Sequence, residues 1–134
     1  MLGMNTEQQI LLTQKVMHHL EEWGLSAEQQ IAVLDLPNDT KSRRLRVYHE
    51  NTPFPDTAEV EYRVIRILGI IDALRTSYPT NPLMASRWIK TPHKRFENRT
   101  PLHTMLQDGG DGVTAVLAEL DCSYAWDLSG SQTG

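Results

Sequence analysis

Residues 56–79, DTAEVEYRVIRILGIIDALRTSYP, decide the fold class. Val60, Val64, Ile67, Leu68, Ile71 and Leu74 recur at the spacing that lays apolar side chains along one face of an α-helix. Asp56 and Glu59 precede that stripe at capping-box spacing, where each side chain satisfies an otherwise orphan backbone N–H. Tyr78–Pro79 ends the run, because proline has no N–H and disfavours helix at the residue before it. The stripe predicts a central core helix or a dimer seam.

Helix signals continue on both sides. Gln8 to Trp23 carries Leu12, Val16, Leu20 and Trp23 at helical spacing, with Gly24 as the stop. Ser26 and Gln29 form a second capping box and open a helix through Ile31, Val33 and Leu34, which Asp35–Leu36–Pro37 breaks. Asn38 is placed to cap a third helix with Leu45 and Tyr48 on its buried face. Residues 51–56 read as a proline-bearing loop. Further on, Asn81–Pro82 and Thr100–Pro101 each set a capping residue before a proline at the first helical position, where a missing N–H costs nothing. Residues 91–99 read as a polar loop around Pro92. After Gly109–Gly110, Asp111 is placed to cap a helix that turns Val113, Val116, Leu117 and Leu120 inward. Ser129 to Gly134 reads as a frayed tail. Strand signals are nearly absent, so the expected class is all-α.

Bulk properties narrow the function. The 134 residues suffice for one domain or two small ones. A net charge of −4 excludes a general polyanion binder, so any nucleic-acid contact must come from a local basic patch. The single cysteine, Cys122, excludes an internal disulfide and fits a reducing compartment. No apolar run is long enough to span a membrane, and the N-terminus lacks a signal-peptide pattern; a soluble cytoplasmic protein is expected.

Several chemistries find no support. His18 and His19 are adjacent and cannot face one ion from a helix, while His49, His93 and His103 lack zinc-type spacing. Cys122 has no accompanying base or oxyanion motif. Gly109–Gly110–Asp111–Gly112 lacks the Lys–Ser/Thr of a P-loop and follows no strand, so it reads as loop and cap. No catalytic residue, metal site or cofactor is expected, and the chain reads as non-enzymatic.

The helices expected at 26–35 and 38–49 have the dimensions of a helix-turn-helix. The second would present Asn38, Thr40, Lys41, Ser42, Arg43, Arg44 and Arg46 to DNA. Arginine can grip guanine bidentately and asparagine adenine, while Lys and Ser suit phosphates. The bland alternative is a solvated charged face. Such a motif usually has glycine at its turn and a small residue four positions earlier; here Asp35 and Ile31 stand there, and Asp tolerates left-handed backbone better than most.

Residues 82–126 read PLMASRWIKTPHKRFENRTPLHTMLQDGGDGVTAVLAELDCSYAW. In order they contain Trp88–Ile89, Thr91–Pro92, Phe96, Thr100–Pro101–Leu102, Gly112, and Val116 with Leu120. This pattern resembles the toxin-binding domain of the Xre/MbcA/ParS antitoxin family. It departs at His93, where Asn often follows the loop proline, at Arg99, where Gly commonly precedes Thr–Pro, and at Tyr124–Ala125–Trp126, where a glycine usually follows the aromatic.

The resemblance implies a helix-turn-helix domain at 1–78, including a long linking helix, and a small helical toxin-binding domain with its tail at 79–134. It implies an antitoxin that occludes a cognate toxin, commonly an NAD-consuming RES-domain protein, and represses its own operon without a cofactor. A homodimer is expected on operator DNA, since palindromic operators mirror two-fold symmetry. Candidate toxin contacts are Trp88, Ile89, Pro92, Lys94, Arg95, Phe96, Pro101, Leu102, Tyr124 and Trp126. Aromatics and arginines commonly anchor interfaces, and Arg87, Lys90 and Arg99 add further cations around them. The alternative for Trp88 and Phe96 is that they fill the core. Two other functions stay open: a transcription factor whose C-terminal domain dimerises or senses a ligand, and a toxin neutraliser without DNA affinity.

Overall fold

The computed structural model describes residues 3–37 and 39–129, with side chains as far as residue 121. All regular structure among them is helical; an isolated bridge between His93 and Arg99 is the exception. The chain forms two compact units, residues 1–65 and 66–134, and the boundary falls inside one long helix.

In the first unit, α1 (Thr6–Glu22) opens on a capping box in which the Asn5 side chain accepts from Gln8 N while the Gln8 side chain accepts from Asn5 N. It closes at Gly24, whose φ of +81° is the left-handed geometry that glycine adopts without steric penalty. Helix α2 (Ala27–Leu34) begins with the expected Ser26–Gln29 box. Asp35 then turns left-handed, at φ 55° and ψ 42°, and Leu36 N reaches back to Ile31 O at 3.0 Å.

The next helix differs from the reading. It starts with a 3-10 turn, Ser42–Arg44, and continues as α3 (Leu45–Glu50), so residues 39–41 are not helical; the cap expected at Asn38 lies outside the described residues. Thr40 N bonds to Pro37 O at 2.9 Å, so a separate turn occupies the stretch where the helix was expected to begin. Leu45 and Tyr48 do face inward, and α3 packs on α1. The buried Thr13 hydroxyl on α1 accepts from Phe54 N at 3.1 Å, fixing the loop that follows.

Helix α4 (Ala58–Ser77) is capped by Thr57, not Asp56, with Thr57 Oγ1 accepting from Val60 N at 3.2 Å. Its stripe is broader than expected: Ile70 is buried, and Leu68 is only half-buried. Val60, Val64, Ile67, Ile71 and Leu74 are already buried within the single chain, which removes this stripe as a dimer seam. Burial of each such side chain contributes about 1.5–3 kcal/mol before entropic costs. Arg63, 8% exposed, lies among them and directs Nη1 to the carbonyls of Ala32 and Val33 at the end of α2, at 3.4 and 3.2 Å. Ala32 O already accepts from Asp35 N at 3.2 Å, so the arginine adds a second donor there and supplies one to Val33 O in the last turn, where helix carbonyls lack intrahelical partners.

In the second unit, the remainder of α4 is followed by α5 (Pro82–Ile89), a 3-10 turn at Lys94–Phe96, and α6 (Pro101–Ser129). Asn81 and Thr100 cap as expected, accepting from Leu83 N at 3.1 Å and His103 N at 2.9 Å. Helix α6 is broken at Gly109, whose φ of 63° and ψ of −133° are open to glycine and little else. The helix resumes at once, so Asp111 lies in its first turn and is not the cap. Beyond the break, Gly112 passes against the backbone of Thr104, and Leu117 lies over Gly69 of α4. Val113, Val116 and Leu120 are buried as the pattern required, and Leu117 partly so.

Candidate functional site

The second unit is built around the loop joining α5 to α6. Ala85 and Ile89 are the buried face of α5 and set its orientation on α6. After α5, His93 N donates to Arg99 O at 3.1 Å, and Asn98 N donates to His93 O at 3.0 Å. Between these ties Glu97 and Asn98 are both left-handed, at φ 58° and 67°. A non-glycine residue pays roughly 1–2 kcal/mol for that conformation, with Asn paying least. Phe96, buried, anchors the loop from below.

Two of the three departures from the family pattern, His93 and Arg99, have structural work in this loop. The His93 ring stands 4.9 Å from the Trp88 ring and meets Phe96 edge-on at 6.1 Å, so it fills the space between the two aromatics. Arg99 Nε donates to Phe96 O at 3.0 Å, while its Nη atoms donate to both carboxylate oxygens of Asp108 at 3.1 and 3.0 Å. This fork fixes the loop to the last turn before the Gly109 break. The paired guanidinium holds the Asp108 carboxyl below its ordinary range, chiefly through the hydrogen bonds, and the carboxylate raises Arg99 in return.

The expected contact residues separate by exposure. Ile89, Phe96 and Pro101 are buried, Trp88 and Leu102 are half-buried, and Pro92, Lys94 and Arg95 are exposed. Arg95 is paired with Glu119 at 2.8 Å and borders a shallow hollow of about 300 Å³ with Phe96, Ala115 and Ala118. Tyr124 and Trp126 continue α6, and their side chains lie outside the described residues. Two exposed residues were not singled out from sequence: Leu83, 77% exposed, and Met84, both on α5. Apolar residues at more positions of α5 than its inward face needs were the available signal.

In the first unit, Lys41, Ser42, Arg43, Arg44 and Arg46 are exposed on the 3-10 turn and the start of α3, with Thr40 half-buried before them. Arg46 pairs with Glu50 at 3.5 Å in an exposed i,i+4 contact. Ser42, Arg43 and Arg46 also border an open hollow of about 390 Å³ with Glu21, Gln30 and His49. Arg63, bonding to the end of α2, holds the turn that leads to this segment; nothing in the spacing of the sequence marks it.

No three His, Cys, Asp or Glu side chains converge among the described residues, and no helix there is long and apolar enough to cross a membrane. The second unit is therefore an all-helical domain offering a helix face and a pinned loop. Residues 73–122, which span these elements, match the family model of the antitoxin Xre/MbcA/ParS C-terminal toxin-binding domain. Over that segment, rather more than a third of the chain, the protein is similar to the toxin-binding domain of such antitoxins. A comparison with curated proteins finds no match to the chain.

Proposed function

We propose that the protein neutralises a cognate toxin by steric occlusion through residues 73–122 and represses its own operon through the first unit. The observation carrying this reading is the family match, which spans the α5–α6 loop and the Gly112 contact. The toxin proposed is a RES-domain protein that consumes NAD, with the antitoxin covering the mouth of its active site. The protein acts by binding and not by catalysis, in the cytoplasm, where such a target would lie.

For DNA, α2 braces the turn and the basic segment from Thr40 to Arg46 meets the duplex, as a homodimer on a palindromic operator. Two features support it: left-handed Asp35 takes the place usual for glycine, and the cations cluster in a chain of net charge −4. A second reading, neutralisation without DNA binding, is favoured by the brevity of α3, six residues, and by the engagement of Arg46 with Glu50.

Co-expression with the protein encoded by the adjacent reading frame tests the main claim. Growth arrest by that protein should be relieved by the full chain. Persistent arrest despite expression of both would refute neutralisation. A salt-dependent titration with the operon's upstream DNA decides between the two readings of the first unit.

A further inference from the structure

We propose that the outward face of α5 is the toxin's docking surface and that the toxin meets it with an acidic patch. This inference rests on the toxin-binding reading and adds the place and chemistry of the contact. On α5, Ala85 and Ile89 point inward, which leaves Leu83, Met84 and half of Trp88 along the outer side, with Arg87 between them. Leu83 is 77% exposed. Scattered apolar residues need no explanation, but three along one short helix make a continuous ridge. The ridge lies within the matched segment.

Charge identifies the partner. Between Asp72 and Glu97 the sequence contains no carboxylate, yet Arg87, Lys90, Lys94 and Arg95 fall there, in a chain of net charge −4. Arg87, Lys90 and Lys94 are exposed and form no ion pair among the described residues. An apolar centre with a cationic rim matches an acidic, partly apolar protein surface: the rim steers encounter, and the centre provides affinity. Aliphatic Leu83 and Met84 give no stacking platform for bases, so nucleic acid fits this face less well.

The test uses the full chain and the protein from the adjacent reading frame, measuring Kd by calorimetry at low and high salt. Leu83→Asp and Arg87→Glu are both at exposed positions and should leave the melting temperature unchanged. Each should weaken binding by about tenfold or more, and Arg87→Glu should also flatten the salt dependence. If the wild type binds and both variants bind equally well, the α5 assignment is overturned while toxin binding stands. If the wild type does not bind, both fall. If the substitutions instead lower the oligomeric mass or abolish DNA binding, the face belongs to a second copy or to nucleic acid, and the proposal is wrong.

Discussion

A Cβ atom placed on Gly112 would lie 2.2 Å from the carbonyl oxygen of Thr104, so the backbone on one side of the Gly109 break occupies the space where the other would carry a side chain. The obstacle is main chain within a helix and cannot rotate away. Gly112→Ala should therefore destabilise the second unit by about 3 kcal/mol, near the upper end for overpacking. Denaturant unfolding would measure it. A loss below half a kilocalorie would show that the two segments separate freely.

The Arg99–Asp108 fork makes stability depend on pH in one direction. Because the Asp108 pKa is lowered in the folded protein, the pair's contribution is complete above the ordinary carboxylate value of about 3.9. It is lost as pH falls through the lower folded value. Asp108→Asn should therefore melt earlier than wild type at neutral pH, and the two curves should converge in strong acid. A difference that persisted unchanged into acid would assign the effect to packing.

Left-handed Glu97 gives a substitution pair of opposite sign. Glu97→Gly removes a steric penalty but frees the unfolded chain, leaving a net change between zero and about 1 kcal/mol of stabilisation. Glu97→Val should destabilise by about 1–2 kcal/mol, because a branched Cβ fits that conformation worst. Equal melting temperatures for the two variants would contradict the loop geometry.

Arg63→Met keeps most of the aliphatic bulk and removes the donor to Ala32 and Val33. Ala32 O keeps its bond from Asp35 N, but Val33 O loses its arginine donor and Glu59 its partner, so the cost should be about 1–3 kcal/mol. Hydrogen exchange should show the loss concentrated at the end of α2. Uniform destabilisation would argue that the arginine's role is bulk alone.

On the DNA-binding reading, Arg43→Ala should weaken operator binding and reduce the steepness of its salt dependence by about one ion. Mobility-shift titrations across salt concentrations provide the check. An unchanged slope removes Arg43 from the interface.

Capping motifs were the most legible part of the fold because they are local: Ser26–Gln29, Asn81–Pro82 and Thr100–Pro101 each act within a few residues. The same logic missed Asn5 and chose Asp56 over its neighbour Thr57, since adjacent residues compete for one cap. The late start of α3 depends on how far the Pro37 turn extends, which spacing does not encode. Arg63 was invisible because its acceptors are main-chain atoms some 30 residues away. In the segment that matches the family model, the residues from Trp88 to Phe96 were legible as a motif. Their division into buried Phe96 and Ile89, half-buried Trp88 and exposed Lys94 was not, because periodicity marks an apolar position without saying what covers it. His93 and Arg99 read as exceptions to a pattern, and each is instead held by specific partners.

The break at Gly109 also bears on how this molecule can change. Its φ and ψ belong to a backbone region that is the mirror image of ordinary extended chain, so chirality itself, and not crowding, bars the other residues. Compensating mutations elsewhere can relieve a clash, but none can change the handedness of an amino acid. Position 109 is thus a point of no drift, around which the surface of the domain can be rewritten while its helical turnaround stays the same.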